Sequence, residues 1–454
     1  MKRGFEMKEY NMLKDHPGRS LLFFAMPMII GNLFQQFYNM ADSVIVGKFV
    51  SEEALASVGA SYSLTTVFIM IAIGGGIGSS VIISQFLGAK EYEKMKTSIY
   101  TALISFFVLS MILFTFGMLA KESLLTLLNT PSNIFDDAVL YLKIYFMGLP
   151  FLFMYNILSS VFNALGKSKI PLYLLIFSSL LNVILDLYMV IVLHMGVAGV
   201  AIATVIAQGI SAVISFSVLM NTLKLYEGDA KNLSKFNPQI LKKMIVIAVP
   251  SILQQSIVSI GMVLVQSVVN GFGSSVLAGY SAASRIESIC IVPMIATGNA
   301  ISTFTAQNLG AGQQERVREG YASGYKIIIS FSVIMALLIA MFHRPIISIF
   351  LDTNSGSEAF DIGIGYLKFV GYFFVFIGLK SITDGLLRGA GDMVLFTISN
   401  LVNLSIRVLV AFKYAPIWGV QAVWYAVPMG WAANYIISFS YYLTGKWKEK
   451  RLVA

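Results

Sequence analysis

The chain has 454 residues, of which 57% are hydrophobic and only 12% charged, and its formal net charge is +9. Soluble globular proteins are about one quarter charged, so this composition excludes an ordinary soluble protein. One cysteine, Cys290, is too few for a disulfide scaffold. The excess of lysine and arginine does not indicate nucleic-acid binding, because membrane proteins place these residues at the cytoplasmic ends of their helices.

Twelve apolar stretches of membrane-spanning length follow one another along the chain. A helix needs about 20 apolar residues to cross about 30 Å of hydrocarbon. The segment from Leu172 to Leu185 shows none of the two-residue alternation of a membrane β-strand. The predicted helices are 20–46, 55–86, 97–119, 138–161, 170–193, 197–222, 244–269, 277–307, 321–343, 362–387, 393–414 and 418–443.

Basic residues are distributed unevenly between the loops. If the N-terminus is cytoplasmic, the loops on the outer side contain only Lys48, Lys121, Arg344 and Lys413, whereas the cytoplasmic loops and tails are rich in lysine and arginine. The positive-inside rule therefore predicts a multi-pass protein of the cell membrane (plasma or inner) with both termini in the cytoplasm.

The longest hydrophilic stretch, 226–243, lies at the middle of the chain and separates six predicted helices from six. We therefore expect an N-terminal lobe of residues 1–225, a cytoplasmic linker of 226–243 and a C-terminal lobe of 244–454.

The two halves repeat the same landmarks in the same order, shifted by 222 to 225 residues. The pairs are Pro27 with Pro250, Gln85–Ala89 with Gln307–Ala311, Tyr141–Lys143 with Tyr366–Lys368, and Asn163–Lys167 with Arg388–Asp392. Six helices in each half make the repeats parallel. The predicted fold class is an all-α polytopic membrane protein, built as two six-helix bundles related by a pseudo-twofold axis along the membrane normal, an arrangement common in transporters.

These landmarks resemble the multidrug and toxic compound extrusion (MATE) family of secondary transporters, in the bacterial and archaeal DNA-damage-inducible form rather than the eukaryotic one. The resemblance extends from residue 17 to residue 445. The segments that carry it are Pro27–Gly47, Gln85-x-x-Gly88-Ala89, Gln307-Asn308-x-Gly310-Ala311 and Arg388-Gly389-x-Gly391-Asp392.

Polar residues recur on one face of the first predicted helix, at Asn32, Gln35, Asn39 and Asp42. A carboxylate inside hydrocarbon costs a few kcal/mol or more, so this face must meet water or a partner group. We expect Asp42 to be a proton or cation site. Asn32 and Gln36 instead suit helix–helix contact. Pro27 is predicted to kink the helix, and the resemblance implies that this hinge accompanies protonation.

Two further helices carry polar pairs at a spacing of four, Asn182 with Asp186 and Thr204 with Gln208. If these faces meet Asp42, two carboxylates share one site, which favours protonation or a bound alkali cation. In the family, matching residues form the proton and cation site. The resemblance therefore implies a proton or Na⁺ site at Asp42, Asn182, Asp186 and Thr204, with Tyr141 a weaker match. Asn182 and Thr204 also suit simple helix contact.

The second half departs from this pattern. Val265 and Gln266 stand at the repeat position of Asp42, and Arg407 aligns with Asn182. We expect the charges of Arg285 and Glu287, and those of Lys380 and Asp384, to be satisfied by internal ion pairing. Glu287 is also a candidate for contact with a substrate cation. With Gln35, Asn39 and Gln208, it completes the predicted lining of a substrate cavity.

We expect an antiporter that exports amphipathic, often cationic or aromatic compounds, driven by H⁺ or Na⁺. It would act as a monomer in the lipid bilayer, without a cofactor, nucleic-acid partner or other metal. A flippase for lipid-linked saccharides is the alternative, but its basic cavity is not indicated because the basic residues lie mostly in loops. No convergent catalytic set suggests an enzyme. The run Gly74–Gly78 lacks the lysine of a phosphate loop and favours close helix approach.

Overall fold

The computed structural model describes residues 11–226, 234–351 and 358–450. Much of the predicted linker, 227–233, lies outside these ranges, as do Lys2, Arg3, Lys8 and Arg451 of the two chain ends. Fifteen α-helices occupy the described part, α1 to α15: Pro17–Phe49, Glu52–Gly88, Tyr92–Leu127, Ser132–Met147, Leu149–Ala164, Lys169–Leu187, Gly196–Leu223, Pro238–Asn270, Ser274–Cys290, Val292–Gly310, Gln314–Ile347, Glu358–Tyr372, Phe374–Ala390, Met393–Trp418 and Gln421–Thr444.

The twelve predicted spans all fall on these helices. Within the described residues, nine helical segments are long and apolar enough to cross a membrane, and two bent pairs also pass as broken spans. The pairs are α4 with α5 and α12 with α13, each bent by 51°. The eighth span breaks between α9 and α10, where Pro293 lies in the first turn of α10. α15 occupies the twelfth predicted span.

The chain forms two compact units, one of residues Ile30–Ile252 and one of Met1–Ile29 with Leu253–Ala454. We call them the carboxylate unit and the arginine unit, after the charged residues described below. The division differs from the predicted lobes in one respect. It falls inside α1 and inside α8, in each case two residues after a proline, Pro27 and Pro250. α1 remains one continuous helix through Pro27, and the hinge stays a prediction.

Glycines explain why the first segment of α8 belongs to the carboxylate unit. A Cβ atom on Gly74 would lie 2.7 Å from the backbone nitrogen of Ile252, and one on Gly78 would lie 2.6 Å from the carbonyl oxygen of Met244. Any larger residue would force α2 and α8 apart. The expected close approach at the glycine run is therefore confirmed.

Candidate cation site

Three helices of the carboxylate unit bring polar side chains to one place. α1 contributes Tyr38 and Asp42, which lie four residues apart and so on one face of the helix. α6 contributes Asn182 and Asp186 at the same spacing, and α7 contributes Thr204. The condition set by the sequence, that these helical faces meet, is therefore fulfilled in the structure.

Asn182 is the centre of the hydrogen-bond network and is only 2% exposed. In the amide orientation that satisfies both of its polar atoms, Nδ2 donates to Asp186 Oδ2 at 3.0 Å and to the Tyr38 hydroxyl at 2.7 Å. The amide oxygen accepts from the Thr204 backbone N–H at 3.0 Å and lies 3.2 Å from the Thr204 hydroxyl. The amide thus connects α1, α6 and α7 through hydrogen bonds.

The carboxyl groups of Asp42 and Asp186 lie close enough to interact directly with each other. Asp186 is fully buried, and one oxygen of each group, Oδ1 of Asp42 and Oδ1 of Asp186, has no partner among the described residues. Nor does either carboxylate pair with a lysine or arginine within the described ranges. Two adjacent negative charges away from bulk water repel strongly, so the arrangement favours binding of a proton or a small cation.

Tyr141, on α4, lies near both carboxylates. Its ring packs against a buried aliphatic cluster that includes Val46, Val190 and Val200. A π-helical turn, Tyr188–Val192, follows α6 and begins two residues after Asp186. Such turns replace regular helical hydrogen bonds and occur often beside functional sites.

A cavity of about 50 Å³ adjoins this network. It has room for more than one water molecule, but it is far smaller than the roughly 300 Å³ that a drug-sized ligand needs. Its polar lining includes Gln35, Gln208 and Tyr155 as well as Asn182 and Thr204. The cavity therefore gives water or a small ion space beside Tyr38, Asn182 and Thr204, the hydrogen-bonding neighbours of the carboxylates.

The other predicted cavity residue of α1, Asn39, is exposed and accepts a hydrogen bond from Gln35 Nε2 at 3.0 Å. Asn32 and Gln36 are exposed as well. Tyr38 was missed by the sequence analysis, although its position one helical turn before Asp42 was a signal that could have found it.

Glu287 lies in the arginine unit. The internal ion pairing expected for Arg285 and Glu287 is wrong, because neither side chain forms an ion pair with a residue in the described ranges. Among the described residues, Glu287 instead accepts a hydrogen bond from the Tyr366 hydroxyl at 2.7 Å. The expected pair of Lys380 with Asp384 is confirmed, with 2.7 Å between Nζ and Oδ2.

Comparisons with known proteins agree with this architecture. The MatE family model matches residues 27–189 and again 250–412, as the internal repeat predicts. The probable multidrug resistance protein YpnP of Bacillus subtilis is 30% identical over 447 residues, which cover 98% of this chain and 99% of that protein. YoeA of the same organism, also a probable multidrug resistance protein, is 28% identical over 449 residues, covering 96% and 95%.

Among solved structures, a MOP superfamily transporter from Pyrococcus furiosus is similar with a TM-score of 0.89 at 22% identity, covering 99% of this chain and all of that one. This likeness shows the fold, and it confirms the predicted all-α membrane class.

Proposed function

Since the chain belongs to the MATE family of transporters, we propose that it is a cation-coupled antiporter that exports amphipathic, often cationic or aromatic compounds. It acts by alternating access as a monomer in the cell membrane, with both termini in the cytoplasm. H⁺ is the coupling ion, and Na⁺ is the alternative that the same oxygen atoms would bind. The names of its relatives, which are multidrug resistance proteins, support the export of small molecules.

The contact between Asp42 and Asp186, without a basic partner in the described chain, is the observation that carries this proposal. The negative charge of the site has no basic partner, and either the coupling ion or a cationic substrate supplies a positive charge. The two ligands therefore compete. Transport is coupled when the inward-open and outward-open states bind them with different affinities.

The available driving force suffices for useful export. One proton entering down about 100 mV and one pH unit releases about 2.3 and 1.4 kcal/mol respectively. A tenfold gradient of a neutral compound costs about 1.4 kcal/mol, so a gradient of several hundredfold is within reach. Exchange of one proton for a monovalent cation is electroneutral and gains only the pH contribution, which supports a gradient of about tenfold.

Ethidium efflux from reconstituted vesicles under an imposed proton gradient tests the proposal. We expect efflux by the wild type, collapse of efflux with a protonophore, and no efflux by Asp42→Asn. Asp137→Asn is the matched control, because Asp137 is exposed on α4. Efflux that persists in Asp42→Asn would remove Asp42 from the mechanism, and efflux driven by a sodium gradient alone would make Na⁺ the coupling ion.

A further inference from the structure

A basic residue occupies the middle of a membrane helix without a bonded partner. Arg407 lies on α14, between Met393 and Trp418. It forms no hydrogen bond or ion pair with any residue in the described ranges, and its Nε atom is buried without a partner. A charged residue at this depth is costly, and it persists in membrane proteins where it has a function.

The surroundings of Arg407 combine aromatic rings with one acid. Tyr280, Glu287 and Tyr366 all lie close enough to interact with it electrostatically. The rings of Tyr280 and Tyr366 are 5.1 Å apart, and Trp424 lies 6.0 Å beyond Tyr366. Glu287 is held by the Tyr366 hydroxyl and stays more than 4.0 Å from the guanidinium nitrogens. Glu287 therefore offsets the charge of Arg407 without accepting a hydrogen bond from the guanidinium N–H groups.

α15 packs against the aliphatic part of the Arg407 side chain and leaves its guanidinium group accessible. A Cβ atom on Gly430 would lie 2.8 Å from Arg407 Cγ, so only glycine leaves room for the side chain to pass. The residue is partly exposed, and its two terminal nitrogens are not among the buried polar atoms. The end of the guanidinium group is therefore accessible, with N–H groups that no described residue engages.

We propose that Arg407 binds the carboxylate group of aromatic substrates, while the buried rings of Tyr280 and Tyr366 form the wall behind it. A guanidinium group matches a carboxylate with two parallel hydrogen bonds. A transporter with this arginine site would export aromatic acids and zwitterions in addition to cations. This inference rests on the proposed export function and names a substrate class for it.

The proposal is tested by comparing the binding of two ligands. Rhodamine B is an aromatic zwitterion with a free carboxylate, and its ethyl ester lacks that group. The purified protein in lipid nanodiscs is titrated by fluorescence anisotropy without an ion gradient. We expect Arg407→Gln to weaken binding of the acid by about tenfold to hundredfold, because a charge-assisted hydrogen-bond pair is lost. Binding of the ester should stay within about twofold.

Arg285→Gln is the matched control, since Arg285 is an exposed arginine of the same unit. Arg407→Lys keeps the charge but loses the planar guanidinium group, so its affinity for the acid should lie between those of the wild type and Arg407→Gln. This variant replaces Arg407→Gln in the experiment if the glutamine variant does not fold. Equal affinity of the wild type and the variants for the acid, equal weakening of acid and ester, or no binding of the acid by the wild type would each overturn the proposal. Failure of ethidium efflux alone would overturn the antiporter and leave the binding result in place.

Discussion

Tyr141 and Tyr366 stand at the same position of the repeat, yet their neighbours differ in charge. Tyr141 lies beside the carboxylates of Asp42 and Asp186 in the carboxylate unit. Tyr366 donates a hydrogen bond to Glu287 in the arginine unit, close to the guanidinium of Arg407. Arg407 of α14 aligns with Asn182 of α6, so the two units also differ in charge at this position of the repeat.

The two units also differ in charge at a second pair of repeat positions. In the arginine unit, Lys380 and Asp384 form a buried ion pair, and Asn400 donates to the same carboxylate oxygen at 3.2 Å. Their repeat counterparts, Tyr155 and Ser159, are uncharged, and Tyr155 lines the cavity beside Asn182. The arginine unit thus pairs Lys380 with Asp384 at this position, whereas the carboxylate unit leaves Asp42 and Asp186 without a basic partner among the described residues, with a cavity close by. Similar helical frames can therefore serve different ligands.

Beyond the loss expected for Asp42→Asn, the largest effect is expected from Asp186→Asn. The variant keeps the shape of the side chain but removes one of the two charges that attract the coupling ion, so proton-driven efflux should fall at least about a hundredfold. Initial rates of ethidium efflux measure this, with Asp361→Asn, an exposed residue of the arginine unit, as the control. Unchanged rates would show that Asp42 alone carries the ion.

Lys380→Met should reduce the free energy of unfolding by about 3–5 kcal/mol, because Asp384 is then left buried without its cation. Thermal unfolding in detergent measures the loss. The double variant Lys380→Met/Asp384→Leu should recover most of it, and Lys368→Met, at an exposed position, should change little. Equal stability of Lys380→Met and wild type would mean that internal charge balance does not stabilise the arginine unit.

A smaller loss is expected from Gly430→Ala. The new methyl group would meet Asn403 Oδ1 at 2.3 Å and Arg407 Cγ at 2.8 Å, so overpacking should cost about 1–3 kcal/mol of unfolding free energy. Gly209→Ala in the carboxylate unit makes only ordinary contacts, the nearest 3.5 Å from Phe151, and should be neutral or stabilising. Thermal unfolding of the two variants side by side decides whether the space around Arg407 is as tight as the structure indicates.

The smallest effect is expected from Tyr38→Phe. It removes the hydroxyl that accepts from Asn182 but leaves both carboxylates, so a loss of about 1 kcal/mol, or about fivefold in efflux rate, is expected. The control is Tyr173→Phe on α6, whose side chain is exposed. A loss as large as that of Asp186→Asn would place the Tyr38 hydroxyl among the groups that bind the ion.

Much of this comparison could be predicted from the sequence. Hydrophobic runs and their lengths predicted all twelve spans, and the spacing of Asn182, Asp186 and Thr204 showed which helical faces are polar. The aligned landmarks also showed that Arg407 replaces Asn182 in the second half. The spans and the polar faces depend on residues near one another in the sequence, where helical geometry alone determines the arrangement, and the match of Arg407 with Asn182 depends on the internal repeat.

Only the tertiary structure decided which polar faces meet. Helical periodicity shows that a face is polar but not which helix packs against it. It therefore left open that Asn182 joins Tyr38 to Asp186, and that Glu287 binds Tyr366 rather than pairing with Arg285. It likewise left open that the first segments of α1 and α8 belong to opposite units. These contacts depend on close packing between distant helices, set by small residues such as Gly74 and Gly78, and that packing is a property of the assembled bundle.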